Sequence, residues 1–159
     1  MRRLLLLPAA ALLLVPAATG HAAGGACDKA TVGALANAHG GVYDPKLGYA
    51  RFICHDFTGD GVADSAFTIN SGGSSGSLGW GIVRGVAGGG AKLAKFAKDD
   101  LSPGLKRVRR NILVSNPIYG PNDPNCCPRA FRIRTYRWNG HRFALVRSQR
   151  VTKLPRGFY

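Results

Sequence analysis

"FRIRTYRWNGHRFALVRSQ", residues 131–149, is the stretch that decides the fold. Two runs of alternating apolar and polar residues flank Asn139-Gly140, a pair suited to the positive φ angles of a type I′ hairpin turn. A two-residue turn sets Trp138 opposite His141, Arg137 opposite Arg142, Tyr136 opposite Phe143 and Arg132 opposite Arg147. One face then carries Tyr136, Trp138, Phe143 and Leu145, and the other carries Phe131, Ile133, Ala144 and Val146. Both faces are partly apolar, which predicts a place in the middle of a sheet.

The same alternation recurs upstream. "YARFIC" and "SAFTIN" flank an acidic loop, and "LGWGIVRGV" and "KLAKFAK" flank Gly88-Gly89-Gly90, which reads as a hairpin connection. "DDLSPG" reads as a turn, and "NILVSNPIY" as a strand whose pairing Pro117 limits. One helix precedes them, "DKATVGALANAH", residues 28–39. Asp28 caps it, Val32, Leu35, Ala36 and His39 share one face, and Gly40-Gly41 ends it. His39 on that stripe is expected to be packed. The predicted fold is α+β, with one N-terminal helix and a mostly antiparallel sheet of about six or seven strands, stapled by disulfides.

The first residues read as a secretory signal peptide. Arg2-Arg3 is basic, Leu4 to Ala18 is apolar, and Gly20 and Ala22 suit cleavage after Ala22. Residues 1–22 are thus expected to be removed, leaving 23–159 as one secreted or envelope-associated domain, monomeric and without a membrane span. Cys27 invites a lipoprotein reading, but Gly24-Gly25-Ala26 lacks the aliphatic residue that usually stands three places upstream. Export implies an oxidising compartment, so Cys27, Cys54, Cys126 and Cys127 are expected to form two disulfides. A bond between adjacent Cys126 and Cys127 closes a strained small ring. Each is therefore expected to reach one of Cys27 and Cys54.

Charge is distributed unevenly. The chain carries 22 Lys and Arg against 8 Asp and no Glu, a net charge of +14. Residues 23–104 are neutral, whereas residues 105–159 hold thirteen Lys and Arg against Asp123 alone. A basic surface of this kind attracts anionic polymers: cell-wall polymer, nucleic acid or acidic polysaccharide. Arginines set opposite one another on the hairpin repel unless an anion, a ring or an aspartate offsets them. Arg132, Arg134, Arg147, Arg137 and Arg142 are the candidate anion-binding residues. The alternative is that their tips fan apart into water.

In "DFTGDGVAD", residues 56–64, Asp56, Thr58, Asp60 and Asp64 stand at positions 1, 3, 5 and 9 of a loop whose Gly61 permits a sharp turn. With the Val62 carbonyl at position 7, this spacing wraps oxygens around a hard cation. Position 12 is Phe67, so the loop is no EF-hand. It resembles the D-x-[DN]-G-D-G-x-x-D loops of FG-GAP/VCBS propeller repeats, and that resemblance implies calcium, at an affinity of about 10⁻⁴ to 10⁻³ M. The other reading is an Asp/Gly turn held by its own hydrogen bonds.

The order of this loop, "NSGGSSG", "DPNCCP" at 123–128 and "YRWNGHRF" at 136–143 is similar to exported proteins of the LppP/LprE lipoprotein type. The resemblance spans roughly residues 50–146. It implies a small β-rich domain in the envelope or outside it, and brings no reaction.

Other motifs fail on their chemistry. "GGSSGSLG" lacks Gly-Lys-Ser/Thr, and Arg84 replaces a glycine that G-x-G-x-x-G requires. Cys54 and His55 are consecutive on a strand and point to opposite faces, so they make no nucleophile and base. A metal site of Cys126, Cys127 and His141 needs reduced thiolates, which export disfavours. The leading expectation is a non-enzymatic envelope or extracellular binding domain. One alternative is a secreted nuclease-like hydrolase with His55 or His141 as base. The other is a purely structural or inhibitory protein.

Overall fold

The computed structural model describes residues 24–73, 76–124 and 126–158. The expected signal peptide lies outside these residues. The helix α1, Lys29–Ala38, starts where Asp28 accepts a hydrogen bond from the Thr31 backbone N–H at 2.7 Å. Gly41 closes it by donating to the Ala36 carbonyl at 2.9 Å. Its apolar face buries Val32, Gly33 and Ala36. His39 departs from expectation. It is exposed at the C-cap, with Nδ1 2.9 Å from the Leu35 carbonyl, because the helix ends before the stripe reaches it.

Eight strands follow: β1 Tyr49–His55, β2 Asp64–Asn70, β3 Ser77–Val86, β4 Gly90–Leu101, β5 Gly104–Val108, β6 Asn111–Ile118, β7 Ala130–Trp138 and β8 Phe143–Val151. They form two antiparallel sheets of four, ordered β1-β2-β3-β4 and β5-β6-β7-β8, rather than one sheet of six or seven. The first sheet is covered on both faces, so Asp64 to Ile69 of β2 is buried without a break. On one face Phe67, Ile69 and Val83 pack with Ala26, Val32 and Ala36 of the helical segment. On the other, Phe57, Ala66, Trp80 and Ile82 meet Leu105, Ile112, Val114, Tyr136 and Phe143. Each large side chain buried there contributes about 1.5–3 kcal/mol relative to exposure.

A polar bridge joins the two sheets. Trp80 Nε1 donates to Asp100 Oδ2 at 2.6 Å, and the Arg134 guanidinium donates to the same oxygen and to Asn116 Oδ1. Asp100 was expected in a turn, but β4 continues through it to Leu101.

The register of the last hairpin differs from the two-residue reading. Trp138 pairs with Phe143, which leaves a four-residue loop at 139–142. The Asn139 side chain accepts from the backbone N–H groups of His141 and Arg142 at 3.0 and 2.9 Å, and so holds the wider loop. A bulge opposite Thr135 and Tyr136 shifts the register again. Arg132 therefore faces Arg150, Arg147 faces Thr135, and Arg137 faces Ala144.

The disulfide expectation is also corrected. Cys27 and Cys54 are bonded to each other, while Cys126 and Cys127 are exposed thiols. Cys54 lies near the end of the sandwich where Arg107, Nη1, meets His55, Nε2, at 3.3 Å. Cys126 and Cys127 lie in the β6–β7 connection, at the other end of the second sheet. The expected crosslinks are out of reach.

Candidate anion-binding cleft and the acidic loop

The acidic loop spans residues 56–63, between β1 and β2. Asp64 ends it, fully buried, with three backbone partners: Oδ2 accepts from Phe57 and Thr58 at 2.9 and 3.0 Å, and Oδ1 accepts from Gly85 at 2.9 Å. Burial raises the Asp64 pKa above the usual carboxylate range, and these N–H groups oppose the shift in part. Asp56 accepts from the backbone N–H groups of Gly59 and Gly61 and from the Thr58 hydroxyl. Asp60 accepts from Val62 N at 2.9 Å.

Among the described residues no group of three or more His, Cys, Asp or Glu side chains is placed to hold a metal ion. The carboxylates of Asp56, Asp60 and Asp64 instead engage backbone N–H groups. The Arg110 guanidinium lies where a Gly59 side chain would begin. Desolvation works against the Asp56 charge, but hydrogen bonds from the Gly59 and Gly61 N–H groups and the Thr58 hydroxyl, with a smaller part from the Arg110 charge, lower its pKa on balance. As folded, the loop is an Asp/Gly turn held by these hydrogen bonds, with the Arg110 guanidinium beside it.

Arg110 belongs to a two-residue turn, Arg109-Arg110, since Val108 pairs with Asn111. Arg109 has φ +56°, a conformation that favours glycine and costs arginine about 1 kcal/mol. Arg109, Arg110, Asn111, Arg137, Thr58 and Trp138 line a recess of about 450 Å³. Arg137 is oriented by donating from Nε to Asn111 Oδ1 at 2.9 Å. Trp138 also borders a second recess of about 190 Å³, lined by Arg84, Lys92, His141 and Arg142 among others. The Arg84 guanidinium stands 5.4 Å from the centre of a Trp138 ring. Six cationic side chains thus flank one half-buried indole.

Of the five arginines expected in an anion site, Arg137 and Arg142 line this cleft. Arg134 is held between the sheets by Asp100 and Asn116. Arg132 and Arg147 are exposed away from it, on separate pairs of β7 and β8. The sequence pointed to the basic last third and passed over Arg84 and Lys92. Both come from the neutral part of the chain and reach the cleft only because β3 and β4 stack against the second sheet. No protein-family profile, curated protein or solved structure is significantly similar to this chain.

Proposed function

We propose that this chain is an exported, non-enzymatic domain of the envelope or extracellular space that binds an anionic polymer at the Trp138 cleft. The observation that carries the reading is the Arg109-Arg110 turn, where the backbone accepts a strained conformation to place two cations beside Trp138 and Arg137. Strain of this kind gathers at functional positions. Arg84 and Lys92 extend the positive surface to the second recess at the indole, so one strand of polymer meets charge in both recesses. Export is inferred from residues 1–22, and the Cys27–Cys54 bond accords with it.

The test is titration with single-stranded DNA, teichoic acid and heparin, followed by tryptophan fluorescence at several salt concentrations. Binding falls steeply with salt, because counterions are released as arginines neutralise charge. Bulk charge gives the same slope, so two double variants of equal charge loss are compared. Arg109→Gln with Arg137→Gln is expected to lower affinity about tenfold or more. Arg132→Gln with Arg147→Gln is expected to cost far less. Equal losses from both pairs refute a defined cleft, and cleavage of any polymer establishes a hydrolase instead.

A further inference from the structure

We propose that Cys126 and Cys127 form a reversible disulfide with each other, a thiol-exchange site separate from the structural Cys27–Cys54 bond. Both thiols are exposed, so external thiols and disulfides reach them. The two thiols stand on adjacent residues of the same exposed turn, and Cys126 raises the Cys127 pKa. Cys27 and Cys54 are bonded to each other near the opposite end of the sandwich, which leaves this pair no other partner within the chain.

The connection that carries them is held firmly at its base. Asp123 accepts from Gly120 N at 2.7 Å and from Arg129 Nε and Nη2 at 2.8 Å each. Gly120 lies directly under that guanidinium, with no room for a side chain. Cys127 N donates to the Pro124 carbonyl at 2.9 Å, so both cysteines belong to one hydrogen-bonded turn. Cys126 also lines an apolar recess of about 370 Å³ with Tyr119, Phe131, Leu154 and Phe158, so its oxidation state is felt at that rim.

The ring that forms is strained. Adjacent Cα atoms are about 3.8 Å apart, whereas disulfides ordinarily span about 4.4–6.8 Å. Strained and exposed disulfides are the readily reduced ones. The bond therefore cycles and does not act as a permanent staple. The oxidant is a low-molecular-weight disulfide. One cysteine thiolate attacks a sulfur of that disulfide, breaks its S–S bond and releases one small thiol. The second cysteine attacks the protein sulfur of the mixed disulfide and releases the other small thiol. Two cysteine thiols are oxidised, and one external disulfide is reduced to two thiols.

The experiment equilibrates the folded protein in mixtures of reduced and oxidised glutathione, quenches with acid, alkylates free thiols and maps peptides by mass. The peptide holding Cys126 and Cys127 is expected to carry two alkyl groups in reducing mixtures. In oxidising mixtures it is expected to carry none and to weigh two hydrogens less. Cys126→Ser removes the resolving partner, so Cys127 is trapped as a glutathione mixed disulfide. The proposal is overturned if the native pair keeps both thiols under conditions that convert this variant. It is equally overturned if the native pair ends as mixed disulfides or as crosslinks between molecules.

Discussion

The Asp64 carboxylate accepts the Gly85 backbone N–H at 2.9 Å, and Gly85 in turn presses its α-carbon toward the Ala63 carbonyl. This contact ties the end of the acidic loop to the end of β3. Asp64→Ala leaves three backbone N–H groups of Phe57, Thr58 and Gly85 without their acceptor. Two of these groups are buried and that of Thr58 is partly buried; at about 1–3 kcal/mol for each buried orphan, the expected loss is about 2–6 kcal/mol in urea unfolding. Gly85→Ala places a methyl group on the Ala63 carbonyl and the Val62 side chain, and is expected to cost about 2 kcal/mol or more. Asp60→Ala, which removes a single exposed loop contact, is expected to lie within about 1 kcal/mol of the native protein.

Two aspartates carry opposite pH signatures. Burial raises the Asp64 pKa in the folded protein, so the native state binds the extra proton, and acidification from about pH 7 toward about pH 4 adds stability through this group. Arg129 lowers the Asp123 pKa, so its contribution is complete above the ordinary carboxylate value and is lost as pH falls through the folded value. The stability difference between native protein and Asp64→Asn should therefore widen on acidification, while that for Asp123→Asn should narrow. Urea unfolding at about pH 7, pH 5 and pH 4 reads both, and parallel curves would contradict the assignment.

Arg109 provides a test of stability against function. Glycine adopts its backbone conformation without strain, so Arg109→Gly is expected to raise stability or leave it unchanged, within about 1 kcal/mol. The same change is expected to weaken polyanion binding. Weaker stability with unchanged binding would show that the arginine serves the fold.

Arg110 gives a handle on whether calcium enters the acidic loop. Arg110→Gln removes the guanidinium beside Asp56, Thr58 and Gly59. If calcium enters the acidic loop, millimolar calcium should raise the melting temperature of this variant more than that of the native protein. Identical melting curves in calcium and in chelator, for both proteins, would leave the loop a hydrogen-bonded turn.

Local structure was well marked in the sequence. Asp28 announced the helix start, and the Gly88-Gly89-Gly90 connection announced a hairpin that Val86 and Gly90 close. β5 was missed because Gly104–Val108 is five residues long and half of its alternation is cationic. The split into two sheets was not legible, since alternation fixes which face of a strand is apolar and does not fix which strands pair. The hairpin register failed where one side chain, that of Asn139, holds a loop wider than Asn-Gly alone implies. The candidate site followed the same rule. Arg137 and Arg142 stood out beside Trp138 in sequence, whereas Arg84 arrives there only through packing of the sheets and Arg110 only through the pairing of β6 with β7.

Each sheet is built from an uninterrupted stretch of chain, residues 49–101 and then 104–151, joined through Ser102 and Pro103. During synthesis the first sheet emerges complete while Ala66, Trp80 and Ile82 still await their cover. That cover is finished only with Phe143 of the last strand. A chain stopped anywhere between Pro103 and Phe143 therefore presents an apolar plane without its cover, and the arrival of the basic half both buries that plane and gives the product its positive surface.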